Sequence, residues 1–300
     1  MTRTILVAYD PGTRDIAPVR FGQAAARFTG APLTVVAVYE GGLLEDRLAS
    51  GTFGEELSAD AREALDDLKA TLEGEGEASP RMILAESHSA ARGLHRAMDE
   101  ETSGLVVLGS TGRGAVGRVL PGSTAERVVH GAPCPVAVVP RGYTAPEGGL
   151  RTIAVGFADS DEGRAALRVA AAVARARGAR LRVVTALRHG PVQTYSVRAE
   201  AGRELLAAGE ALDRACAELA EGTECETEVA HGDAAEALVG VSQSADLVVV
   251  GSRAYGPLRA VALGGVSRRV MAEAHCPVLV LPRGAEADLE ELLPAAGATA

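Results

Sequence analysis

Residues 106 to 129 read VVLGSTGRGAVGRVLPGSTAERVV, a glycine- and hydroxyl-rich stretch set between an apolar run and a helical pattern. Gly109, Gly112 and Gly122 allow backbone approaches that a Cβ blocks. Gly122 and Ser123 open a helix, whose unpaired amides and positive dipole end favour an anion. Ser123 and Thr124 add hydroxyl donors, and Arg113 and Arg118 carry charge that neutralises phosphate. The same letters also describe a capped helix after a loop, since serine is a common N-cap. On the loop alone both readings stay open.

Other chemistries fit less well. Gly112, Gly114 and Gly117 spell G-x-G-x-x-G, but that fingerprint follows the first strand of a βαβ unit and needs an acid about 20 residues on. Here that region reads APCPVAVVP, with no acid. A P-loop ends in Gly-Lys-Ser/Thr, and no lysine occurs between Met82 and Ala300. Acyl transfer needs a serine beside a histidine base, and G-x-S-x-G is absent. His88, His130, His189, His231 and His275 are scattered among loops and helix ends. At the ends of the motif helices, His130 and His275 complement the dipole. No residue that would orient an attacking group for phosphoryl transfer stands out. Cys134, Cys216, Cys225 and Cys276 form no C-x-x-C and lack flanking histidines for zinc, so reduced structural thiols are expected.

The elements that position the loop come from a repeat. TILVAYD at 4–10 returns as TIAVGFA at 152–158, LVVLGSTGRG at 105–114 as LVVVGSRAYG at 247–256, and APCPVAVVPRG at 132–142 as AHCPVLVLPRG at 274–284. The offset is 148 from Thr4 to Thr152 and 142 from Cys134 to Cys276, a loss of six residues expected in a loop. The chain is a tandem duplication. In the first half β-branched runs predict strands near 4–9, 33–38, 81–85, 104–108 and 135–139, and helical periods predict helices near 16–28, 58–73, 89–100 and 123–130. Strands apolar almost throughout imply a sheet buried on both faces, hence a parallel, doubly wound α/β fold in each half. The segment YTAPEGGL reads as a linker between domains at 1–142 and 149–284, and 285–300 as an acidic, frayed tail. Ligands of such sheets bind beyond the carboxyl ends of the strands, where strand order reverses.

Composition narrows the partners. Of 300 residues, 47% are hydrophobic and 23% charged, with a net charge of -10, so the chain is globular and lacks the basic stripe that nucleic acid or an anionic membrane selects. No apolar run approaches the roughly 18 residues of a membrane span. The first strand begins within a few residues of Met1, leaving no room for a signal peptide; a cytoplasmic location is expected.

At this point the residues resemble a family. Gly109-x2-Gly112-x9-Gly122-Ser123 matches the G-x2-G-x9-G-(S/T) motif of ATP-binding universal stress proteins, with CPVAVVP after the motif helix and Asp10 closing the first strand. The resemblance runs over nearly the whole chain, once per half. It implies two tandem five-stranded sheets of order 3-2-1-4-5, adenine nucleotide alpha-hydrolase-like, with the last strands pairing the halves through residues 135–139 and 277–281. Carried over by position, Ala8 and Asp10 lie near adenine and ribose, and Val38 near the base. Leu108, Gly109 and Gly112 line the ribose and first phosphate, and Gly122, Ser123, Thr124 and Ala125 hold the outer phosphates. ATP with Mg is the implied ligand.

The second half departs from the motif. Gly251-x2-Ala254-x9-Gly264-Gly265 keeps the spacing but loses a glycine and the hydroxyl, and Ala158 stands in place of Asp10, with Asp159 next door as a substitute. Gly251, Gly264 and Ser267 remain for weaker binding. Each lost contact costs about 1 kcal/mol, so the first half is expected to bind ATP and the second to bind weakly or serve as a structural mate. The expected function is a nucleotide-dependent stress-response regulator; a slow ATPase and a nucleotide-free dimeric scaffold are the alternatives. The alanine-rich helices also offer surface for a homodimer.

Overall fold

Alternation along the first strand sets the architecture. Ile5, Val7 and Tyr9 face one side and Leu6 and Ala8 the other, and both sides are covered. The computed structural model describes residues 3–41, 53–77, 79–110, 123–187, 195–219, 223–252, 264–283, 285 and 291–293, with backbone alone at 53–55, 123 and 195–201. The first half runs β1 (Thr4–Tyr9), α1 (Ala17–Thr29), β2 (Leu33–Glu40), α2 (Phe53–Gly74), β3 (Arg81–Ser87), α3 (Ala90–Glu100), β4 (Ser103–Gly109), α4 (Ser123–Val129) and β5 (Val136–Val139). The second runs β6 (Thr152–Gly156), α5 (Asp161–Arg177), β7 (Arg180–Leu187), α6 (Tyr195–Ala217), β8 (Cys225–His231), α7 (Ala234–Val241), β9 (Leu247–Gly251), α8 (Gly265–Glu273) and β10 (Val278–Leu281).

The strands form one ten-stranded sheet in the order β3-β2-β1-β4-β5-β10-β9-β6-β7-β8. Each half is a parallel 3-2-1-4-5 sheet. The join between them is the single antiparallel pair, in which Val278, Leu279 and Val280 face Val138, Ala137 and Val136. Two short apolar edges, each exposed in an isolated half, thereby cover one another. Across the same seam the Arg177 guanidinium sits 3.7 Å over the Phe28 ring, joining the ends of α5 and α1.

Three expectations are corrected. The strand registers divide the six-residue loss between two crossovers, β2 to β3 and β3 to β4. In the latter it falls on a helix, which shortens from 11 residues in α3 to 8 in α7. The cysteines are not all reduced: Cys216 on the last turn of α6 and Cys225 at the start of β8 form a disulfide, with Cα atoms 6.4 Å apart, while Cys134 and Cys276 are free and buried. The chain reverses between helix and strand and brings the thiols together, a contact that a spacing of nine residues does not reveal. The tail is not frayed at Glu291–Leu293: Glu291 pairs with Arg3 at 3.0 Å, and Leu292 is buried against Gly104, where an added Cβ would lie 2.9 Å from it.

Candidate functional site

The reversal of strand order falls between β1 and β4 in the first half and between β6 and β9 in the second. The same sheet carries a different structure over each. At the first point the loop Asp10–Ile16 separates β1 from α1. At the second, α5 begins at Asp161, which the 148-residue offset aligns with Thr13, so this helix has an extra turn: 17 residues against 13.

Pro18 accounts for the shorter helix. It sits in the first turn of α1, where a missing N–H costs nothing. One turn deeper, its ring would clash with the carbonyl of Arg14 and leave it without a donor. The aligned residue is Ala166, which imposes no such stop. The displaced segment is held by its own side chains. Asp10 Oδ1 accepts the Gly12 N–H at 2.9 Å, Asp15 Oδ1 accepts the Ala17 N–H at 3.1 Å, and Arg14 takes a left-handed φ of 48°.

In the second half the extra turn fills the cleft. Ser160 caps it, accepting the Gly163 N–H at 3.2 Å. The turn lies so close to the strand end that a Cβ on Gly163 would meet the Ala158 carbonyl oxygen at 2.0 Å, and one on Gly251 would meet the Glu162 carbonyl oxygen at 2.9 Å. The Ser267 hydroxyl donates inward to the Gly251 carbonyl at 2.9 Å. Asp159 does not take the place of Asp10, because it pairs with Arg164 at 2.7 Å and lies outside the residual cavity.

The volumes follow. The first cleft encloses about 760 Å³, within the roughly 300–1,000 Å³ of small-molecule sites. The second holds about 110 Å³, room for a few waters at about 30 Å³ each. A hollow of about 360 Å³ lies over β8 and α7, away from the switch points, and its Arg182 and Asp233 are already paired with Glu228 and Arg269.

Of the residues expected at the site, Ala8, Asp10, Val38, Leu108, Gly109, Thr124 and Ala125 line the large cavity together. Gly112, Arg113 and Gly122 lie outside the described residues, and Ser123 opens α4. Gly251, Gly264 and Ser267 line the small cavity. Sequence reading missed Tyr9, Asp15, Pro18, Glu40, Leu94, Ser110 and Arg141, which complete much of the large wall. Burial raises the Tyr9 phenol above its ordinary value, against the pull of Arg14, so it stays protonated at neutral pH. Leu94 enters from α3, whose N-terminus is capped by Ser89. The wall is apolar at Val36, Val38 and Leu94 and polar at the strand ends, which suits a ligand with one flat and one charged part.

The model of the universal stress protein family matches residues 1–140 and again 149–282. The chain belongs to the universal stress protein family. A universal stress protein of Mycolicibacterium smegmatis is 30% identical over 293 residues, covering 92% of this chain and 96% of that protein. A crystal structure described as a putative universal stress protein from Pseudomonas aeruginosa has the same fold, with a TM-score of 0.66 at 20% identity and 97% of each chain covered. A universal stress protein solved in complex with cAMP matches a shorter stretch, 44% of this chain and 97% of that one, at 28% identity and a TM-score of 0.35.

Proposed function

We propose that this universal stress protein is a cytoplasmic stress-response regulator that holds ATP in its first half and uses its second half as a structural mate. The observation that carries the reading is the contrast between the two clefts, about 760 Å³ against about 110 Å³ at equivalent points of one sheet. Seven of the residues that the resemblance assigns to a nucleotide, Ala8, Asp10, Val38, Leu108, Gly109, Thr124 and Ala125, line the open cleft. In this reading the Val38 side chain lies against the base, the Asp10 carboxylate accepts from a ribose hydroxyl, and the start of α4 faces the phosphates. The Asp10 oxygen not engaged with Gly12 is the one available for that hydroxyl.

A magnesium ion accompanying ATP supplies charge neutralisation at the phosphates. Among the described residues no group of three or more His, Cys, Asp or Glu is arranged to hold a metal. In this reading the cation is carried on phosphate oxygens and water, as magnesium prefers. A regulator of this kind works only if ATP binds two conformations with different affinity.

Calorimetric titration of the intact protein and of Gly122→Asp with magnesium and ATP tests the reading. Binding to the intact protein and its loss by at least tenfold in the variant are expected, because a carboxylate at the head of the motif helix opposes phosphate. Full-strength binding by the variant, or no heat from the intact protein at millimolar ATP, overturns it.

A further inference from the structure

The sheet order lays charge out along the open cleft. Glu40 ends β2, Asp10 follows β1, Ser110 follows β4 and Arg141 follows β5, so the wall runs from acid at one side to base at the other. Three carboxylates line it, Asp10, Asp15 and Glu40, and among the described residues Arg141 is the only cation. Its backbone is fixed, since its N–H donates to the Ser110 hydroxyl at 3.0 Å, and Ser110 is held by a bond from its own N–H to the Val139 carbonyl. Its guanidinium is exposed and has no carboxylate within ion-pair distance among the described residues.

The second half shows what an arginine at that position does. Arg283, 142 residues on, stands at the same strand end and pairs with Glu162 on the extra turn of α5, at 3.7 Å. Among the described residues the buried hydroxyl of Ser252, the counterpart of Ser110, has no partner, so Arg283 is not held as Arg141 is. The closed cleft thus supplies its own anion to this arginine. The open one has Arg14 where Glu162 stands, and Arg14 turns away to Asp67 at 2.7 Å.

We propose that Arg141 binds the phosphate tail of the nucleotide in the first cleft, from the side opposite the motif helix, where Glu162 stands in for that phosphate in the second. The proposal rests on the reading of the first cleft as a nucleotide site. It orients the ligand with its sugar toward β1 and β2 and its phosphates between β4 and β5. A guanidinium there adds charge-assisted hydrogen bonds that adenosine cannot use.

Titrations of the full chain with ATP and with adenosine, in the wild type, Arg141→Ala, Arg141→Lys and Arg283→Ala, test it. Arg141→Ala is expected to weaken ATP about tenfold, to leave adenosine unchanged, and to flatten the dependence of ATP affinity on salt. Arg141→Lys recovers part of the loss, and Arg283→Ala leaves ATP affinity where it was. If Arg141→Ala binds ATP like the wild type, or loses ATP and adenosine equally, or if Arg283→Ala loses as much, the proposal fails while the nucleotide reading stands. If the wild type binds no ATP, both fail.

Discussion

The two switch points of this sheet were built from one duplicated sequence, yet one is a cleft and the other a plugged seam. What separates them is a single turn of helix. In the second half α5 winds back to Asp161, so that Gly163 lies against the Ala158 carbonyl and the Glu162 carbonyl against Gly251. In the first half the corresponding residues form a side-chain-capped loop that stands clear of the strand ends. A site can thus be closed without altering the strands, by letting a neighbouring helix start earlier.

Exchange of the two residues that differ at the helix starts probes this contrast. Ala166→Pro has the largest expected effect: the ring removes the bond to the Glu162 carbonyl in the sixth position of α5 and costs about 3 kcal/mol. Urea unfolding measures it, and a loss under about 1 kcal/mol would mean that the extra turn contributes little to stability. The reverse change, Pro18→Ala, frees α1 to wind upstream as α5 does and narrows the open cleft. ATP affinity is expected to fall about fivefold, near 1 kcal/mol; unchanged affinity in calorimetry removes Pro18 as the residue that keeps the cleft open. Asp159→Ala has the smallest expected effect. It breaks a half-exposed pair with Arg164, worth under about 1 kcal/mol after screening, and leaves ATP binding alone. A drop in ATP affinity would restore Asp159 as a ligand residue.

Much of this was legible in the sequence, for a physical reason. Buried parallel strands must be apolar on both faces, so VVAV, LVVLG and VAVV name themselves, and a repeat names them twice. The apolar edges at 136–139 and 278–281 read as strands needing a partner, and they found each other. Seven of the residues expected at the nucleotide share one wall because local spacing around strand ends survives folding. The missed residues have a different origin. Arg141 follows the last strand and reaches the cleft only because β4 and β5 are neighbours. Cys216 meets Cys225, and Leu292 meets Gly104, through chain reversals that no short pattern encodes. Pro18 lies inside the helix predicted near 16–28, and its effect is evident only beside Ala166.

The antiparallel pair of β5 and β10 also changes how the assembly behaves with concentration. Two separate one-domain chains that join edge to edge come apart on dilution, whereas a covalent tether holds its partner at an effective concentration on the order of millimolar. In this molecule the docking is unimolecular, so scarcity cannot undo it. Every copy emerges from the ribosome already carrying one roomy compartment and one sealed one, in a stoichiometry that neither expression level nor partner exchange can alter.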